Sequence, residues 1–339
     1  AALSFREGDR VPASTFPFAI SRRVLGCDYK TWSLDGEIAA KSHLQYQKLI
    51  GEDFFNIGMD ASQEAHGFGL DVIFPDHAVP YPNPKSKFIK TPDDYFNLEP
   101  YDPAKALRTR QLIKMTDVLA NEKGHEIPVW GTMCGPMEVL SQLRGTSSFM
   151  KDCFKNQEAV HYALRIINDV LLELARKMME VGAHAIIPAT AFGSQSLMSE
   201  KLYQEIEIPY LKEWDKVVHE KGVYLGLHNC GTGPYMKSQL EACNADIFQI
   251  GHVPTDCKNW QEVKKDYGNK VSILGYLDPI NCSELNTPEQ ITEECREEIN
   301  NLAKGGGFIL CPTCEFPPDA PLLNAKAIVD AAKEYGRYQ

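Results

Sequence analysis

The 339-residue chain contains no run of 18 or more apolar residues, so nothing in it reads as a membrane-spanning helix. Nor is basic charge in excess: 35 Lys and Arg stand against 46 Asp and Glu, a formal net charge of −11. Such a surface repels phosphate backbones and anionic bilayers alike, which argues against nucleic acid and membrane as partners. The opening AALSFREGDRVP has no basic stretch followed by an apolar core. It is no signal peptide and reads as the end of a short helix begun upstream. A cytoplasmic location is therefore expected, and the ten cysteines read mostly as small buried hydrophobes rather than a disulfide framework. The Asn281-Cys282-Ser283 sequon is then without meaning. Also missing are a linker, a low-complexity stretch and any G-x-G-x-x-G turn after an early strand, which counts against a doubly wound dinucleotide fold. Gly305-Gly306-Gly307 precedes a strand, the wrong side for cradling phosphate.

What is present is an alternation of short β-rich runs and longer helical patterns. Strands are predicted at 10–18, 53–58, 127–133, 183–190, 223–228, 246–251, 271–277 and 307–312. Helical spacing of apolar residues marks 37–51, about 103–124, 157–182, about 198–221 and 321–336. Residues 69–90, rich in Pro and β-branched side chains, read as an extended insertion or hairpin. Eight strands, each leading into a helix, predict an α/β chain folded as a single (β/α)8 TIM barrel over 1–339, with an N-terminal extension and an irregular β insertion after the second strand.

In such barrels the chemistry sits at the C-terminal ends of the strands. Polar residues just beyond a predicted strand are therefore the candidates: Asp60 and Glu64, Cys134, His228 and Cys230, His252, Asp278, then Cys311, Cys314 and Glu315. The sharpest feature is His228-Asn229-Cys230-Gly231. In extended backbone, side chains i and i+2 point the same way, so imidazole and thiol can reach one ion. Cys311-Pro312-Thr313-Cys314 adds two thiols from the eighth strand. Imidazole with thiolates in tetrahedral array suits Zn²⁺. Three readings stand: a catalytic zinc with three protein ligands and one exchangeable position, a closed four-ligand structural site that includes Cys311, or unmetallated core thiols beside a satisfied histidine.

Glu64 and Asp278 are the candidate catalytic groups, and Asp60, His252 and Glu315 the candidate substrate contacts. Each has a plainer reading as a helix cap, a turn or a solvated side chain. Tyr224 and Phe248 are expected in the core, and Glu293-Glu294 with Glu297-Glu298 on a solvated helix face.

The motif His228-Asn229-Cys230-Gly231, the turn and strand Gly305 to Cys311, Pro317-Pro318 and the Asn324-Ala325-Lys326-Ala327 helix start together resemble the uroporphyrinogen-decarboxylase-like superfamily, in its zinc-dependent corrinoid methyltransferase branch. Asp9-Arg10-Val11-Pro12, Glu64-Ala65 and Gly135-Pro136 extend the resemblance over almost the whole chain. It implies zinc ligands His228, Cys230 and Cys314, and methyl transfer between a small-molecule donor or acceptor and the cobalt of a corrinoid (cobalamin) carried by a partner protein. Thr313 and Glu315 depart from the thiol-methylating members, which points toward a methyl donor such as a methoxylated aromatic. Transfer to a thiol or to tetrahydrofolate stays open. The Arg-Gln-Ala-Gly-Arg stretch of true decarboxylases is absent; Phe18-Ala19-Ile20-Ser21-Arg22-Arg23 stands there instead, which disfavours decarboxylation of uroporphyrinogen.

Overall fold

The computed structural model describes residues 1–338. Seven parallel strands form one curled sheet: β1 (Phe55–Ile57), β4 (Val129–Met133), β5 (Ala185–Pro188), β6 (Tyr224–Asn229), β7 (Ile247–Ile250), β8 (Ser272–Leu274) and β9 (Phe308–Ile309), hydrogen-bonded in that order. The two remaining strands, β2 (Val72–Ile73) and β3 (Tyr81–Pro82), pair antiparallel as a small hairpin inside the predicted insertion. Strands β1, β4, β5, β7, β8 and β9 are buried along their whole length. That burial explains why they read as apolar runs without alternation: a parallel sheet wrapped by helices has no wet face.

The eighth barrel position is taken by the extended segment 11–15. Ala13 bridges Leu310 in parallel, and the N–H of Ser14 donates to Leu310 O at 3.1 Å. On its other side the N–H of Asp53 donates to Ala13 O at 3.0 Å, closing the barrel toward β1. The segment is not a regular strand because carboxylates stand in for ladder partners. The N–H of Ala13 donates to Asp53 Oδ2 at 2.8 Å and that of Thr15 to Glu52 Oε1 at 2.6 Å. Pro12 and Pro17 supply no N–H at all. The (β/α)8 barrel is thus complete, with a seven-strand ladder and an irregular eighth member.

The helices follow the predicted ones with two differences. The run near 198–221 is two helices, Glu200–Ile206 and Ile208–His219, broken at Glu207 with Pro209 in the first turn of the second. The expected solvated acidic face is only partly so: Glu298 is buried, and its Oε2 accepts the N–H of Tyr276 at 3.1 Å beyond the end of β8. Tyr224, expected in the core, is exposed at the start of β6, whereas Phe248 is fully buried. Among the described residues no helix is long and apolar enough to cross a membrane.

At the base of the barrel His219 ties its helix to the sheet. Its Nδ1–H donates to Asp215 Oδ1 at 2.7 Å and its Nε2–H to Asp246 Oδ2 at 2.9 Å. Partial burial opposes the charged ring, but the two carboxylates outweigh it and the pKa is raised above 6.5. The stabilising contribution is therefore fully present below the unfolded-state value and fades as pH rises through the higher folded value. A His219→Gln variant is expected to lose this part of the stability. Its melting temperature should lie below that of the parent at pH 5.5 and approach it by pH 8.5. An offset that stays constant across this range would contradict the assignment.

Candidate functional site

The C-terminal end of β6 carries His228, and Cys230 follows one residue beyond Asn229. Asn229 builds the reversal between them. Its side-chain amide donates to Thr190 O at 2.8 Å and Gly193 O at 3.0 Å, while its Oδ1 accepts the N–H of Gly231 at 3.0 Å. Gly231 is required there by close approach: a Cβ would lie 2.1 Å from Ser194 Oγ. Beyond β9, the backbone is held by a Leu277–Pro312 bridge and by the N–H of Thr313 donating to Leu277 O at 2.8 Å. This turn presents Cys314. One ligand atom each from His228, Cys230 and Cys314 then lie within 4.8 Å of one another.

Cys311 is not in this cluster. It is fully buried, and its sulfur faces the Gln249 amide at 3.8 Å. The four-ligand closed site considered from sequence is therefore not what the structure brings together.

Gln249, on β7 in register with His228, orients the imidazole. Its Oε1 accepts from His228 Nδ1–H at 2.8 Å, and its amide donates to Pro312 O at 2.8 Å. With Nδ1 engaged, Nε2 is left to bind a metal, the usual way an outer partner sets the tautomer of a ligating histidine. One residue thus couples both ligand-bearing turns. Gln249→Leu is expected to weaken zinc binding by about 10–100-fold, the range for outer partners of metal ligands. Competition with a chromophoric chelator measures this.

The two thiols are unequal. Cys230 is pulled below 9.0 by its hydrogen bond with Cys314, against the effect of burial. Cys314 is pushed up to about 12 by the same bond and by burial. The donor set fits zinc: two soft sulfurs, one imidazole nitrogen free to ligate and, among the described residues, no fourth protein ligand in the cluster.

The cluster borders a cavity of about 150 Å³ at the barrel mouth. Phe16, Phe18, Met59 and Met133 give it apolar walls; Asp60, Glu64 and Glu315 give it three carboxyl groups. Burial pushes Glu64 up to about 7, and its Oε2 has no partner. Burial likewise pushes Glu315 up to about 8, although its Oε1 accepts the N–H of Ala19 at 3.1 Å. Asp60 is held differently. It accepts the N–H and hydroxyl of Ser62 at 2.9 and 2.6 Å and pairs with the fully buried guanidinium of Arg108. Arg108 is the only cation touching this carboxyl set among the described contacts, and Asp60 neutralises it.

Two sequence candidates lie elsewhere. Asp278 is exposed and caps a turn, its Oδ1 accepting the N–H of Ile280 at 2.9 Å. It follows Leu277, whose bridge to Pro312 carries the β8–β9 pairing toward the mouth, but it is not among the residues lining the cavity. His252 is exposed on the loop after β7 and does not line the cavity. Sequence reasoning also missed Arg108, Gln249 and Phe16. Gln249 had a signal, a lone amide in the apolar run DIFQIG; Arg108, 48 residues from Asp60, had none.

Phe16 adopts a left-handed backbone, φ 56°, although only 2% exposed. For a bulky side chain this costs about 1–3 kcal/mol and persists only where the surroundings enforce it. Its ring meets His228 edge-on at 5.6 Å between centroids and Phe18 at 4.6 Å. A larger cleft of about 610 Å³ opens at the opposite end of the barrel between Leu3, Asp246 and Lys270. It borders none of the three clustered ligands.

The family model described as uroporphyrinogen decarboxylase (URO-D) matches residues 1–335. Relatives include the methylcobamide:CoM methyltransferase MtbA of Methanosarcina acetivorans, 24% identical over 337 residues, covering 98% of this chain and 96% of that one. The uroporphyrinogen decarboxylase of Flavobacterium johnsoniae is 24% identical over 327 residues, covering 91% and 88%. Among solved structures, a methyltransferase from Methanosarcina mazei superposes with a TM-score of 0.79 at 21% identity, covering 99% of this chain and 97% of that one, a likeness of fold. The chain belongs to the uroporphyrinogen decarboxylase (URO-D) family and resembles its corrinoid methyltransferase branch.

Proposed function

We propose that this protein is a zinc-dependent methyltransferase of the cytoplasm that moves a methyl group from a small, uncharged methoxylated aromatic to the cobalt of a corrinoid held on a partner protein. The observation that carries the reading is the clustering of His228, Cys230 and Cys314 beside a cavity at the C-terminal mouth of the barrel. When bound by these three residues, zinc supplies Lewis acidity to the oxygen that departs with the arene. The rest falls to the chain itself. Gln249 holds the imidazole, and Phe16, Phe18, Met59 and Met133 bind the ring and exclude water. Glu64 carries the proton that the departing oxygen needs, since burial of its unpaired Oε2 raises it to about 7 and keeps the neutral acid available near neutral pH.

Cavity size supports a one-ring donor: about 150 Å³, with Phe16, Phe18, Met59 and Met133 as its apolar walls, has room for a single ring. Charge gives no anchor for an anionic one, because no Lys or Arg is among the residues lining the cavity and the nearby Arg108 is already paired with Asp60. Decarboxylation of uroporphyrinogen fits poorly, since Arg22 is bonded to Asp319 at 2.9 Å and stacked on Tyr29 at 3.6 Å rather than free to anchor carboxylates.

A second reading, methylation of a thiol, is favoured by the coenzyme M acceptor named for MtbA. One assay separates the two. The zinc-loaded protein is mixed with reduced free cobalamin and a panel of methoxyarenes, methylamines and methylthiols, and methylcobalamin is followed by its visible spectrum. Methylcobalamin from methoxyarenes is the expected result. A silent methoxyarene series, together with consumption of methylcobalamin when thiols are added, would replace the first reading by the second.

A further inference from the structure

We propose that Phe16 is the residue that selects a flat aromatic ring at this site, and that Glu52 is the positioning residue that holds it there. This rests on the reading above that the donor is a methoxyarene. Phe16 touches both halves of the site: its ring lines the cavity and packs edge-on against the ligand His228. With Phe18, set at 80° to it, it makes an aromatic corner against which a planar ring can both stack and meet an edge.

The unusual backbone says that this placement is enforced. A phenylalanine relaxes out of the left-handed region unless its neighbours prevent it. Here two holds are visible. The carbonyl of Phe16 accepts the N–H of Phe18 at 3.2 Å and of Phe316 at 3.1 Å, the latter from the segment that follows Cys314. Just upstream, one oxygen of buried Glu52, Oε1, accepts three bonds: the N–H of Thr15 at 2.6 Å, its hydroxyl at 2.7 Å and the Ser14 hydroxyl at 3.1 Å. Glu52 reaches neither cavity nor ligands, so its influence on the site passes through Thr15 and Phe16. A carboxyl group buried this deeply, without a cation bonded to it, is an expensive way to anchor a loop. Its three bonds all serve the two residues before the strained one.

Two probes of similar bulk and identical methyl ether separate ring flatness from size: methoxybenzene and methoxycyclohexane. Binding to the zinc-loaded protein is measured by titration calorimetry, with zinc content and far-UV circular dichroism recorded for every variant. The parent is expected to prefer methoxybenzene by about tenfold, the scale of one aromatic contact. Phe16→Leu, which keeps apolar bulk without a flat ring, should bring the two affinities within about twofold while zinc content stays unchanged. Glu52→Ala should lose the preference in the same way, and Glu52→Gln, which keeps an acceptor oxygen for Thr15, should retain it. If Glu52→Ala does not fold, Thr15→Val, which removes one of the three bonds, is measured in its place and should lower the preference.

A folded, zinc-loaded Phe16→Leu protein with the full preference would overturn the role of Phe16. A folded Glu52→Ala protein, or failing that Thr15→Val, with the full preference would overturn the role of Glu52. A parent that binds both ethers equally defeats this inference alone. A parent that binds neither ether and forms no methylcobalamin defeats the functional reading itself.

Discussion

Changing Cys314 to alanine is expected to empty the metal centre and stop methyl transfer while leaving the barrel folded. The remaining ligands, His228 and Cys230, come from a single strand end, so the ion would lose its only tie to the opposite stretch of chain. Removing an outer partner of a zinc ligand already lowers affinity or activity by about 10–100-fold. Loss of a direct thiolate ligand should exceed that, leaving less than about a tenth of the zinc after dialysis and slowing methylcobalamin formation more than about 100-fold. The fold should survive, because Cys314 is only partly buried at the mouth and the adjoining turn is held by backbone bonds to Leu277. Zinc by emission spectroscopy, turnover and thermal melting on the same preparation read all three effects. Full zinc with lost turnover would mean that Cys314 acts in some way other than as a ligand. Lost turnover with an unfolded protein would make the residue structural.

The second large effect concerns Glu64 and gives the direction of transfer. Burial raises its pKa to about 7. If the group delivers a proton to a departing oxygen, only the protonated form works, so the demethylation rate is high below about pH 7 and falls as pH rises through that value. Glu64→Gln should lower the rate by about 10²–10⁴-fold, the usual worth of a general acid, and abolish the falling limb. A thiol acceptor reverses the sign: Glu64 would then take up a proton, and the rate would climb through the same range. The pH profile of the parent and the flatness of the variant's profile decide between them. A variant that keeps both rate and limb would assign the proton elsewhere, with Glu315, pushed up to about 8, the next group to change.

Much of this was readable from the chain because parallel barrel strands are buried on both faces and so appear as uninterrupted apolar runs, as in IPVWGTM before Cys134 and VYLGLH ending at His228. The pairing of His228 with Cys230 was equally local, set by strand period. Choosing Cys314 over Cys311 was not. It depends on how the Pro312 bridge to Leu277 turns the chain, which buries one sulfur against Gln249 and presents the other to the cluster. Strand-end arithmetic placed Asp278 just past the Leu277–Pro312 bridge, but strand period does not tell that its side chain is exposed, accepts the N–H of Ile280 and does not line the cavity. The first predicted strand, 10–18, was legible as extended chain but not as irregular, because Glu52 and Asp53 replace backbone partners from another part of the sequence. Arg108 and the left-handed Phe16 are wholly tertiary effects, imposed by Asp60 in one case and by Glu52 and Phe316 in the other.

X-ray absorption at the zinc edge, on protein loaded with one equivalent of the metal, tests the core of this account most directly. Two sulfur scatterers at about 2.3 Å and one imidazole nitrogen at about 2.0–2.1 Å, with a further light atom that a substrate analogue displaces, are the expected shell. A shell of three sulfurs and one nitrogen that ignores every added ligand would make the centre a closed structural one. Absence of any sulfur would remove His228, Cys230 and Cys314 from the chemistry altogether.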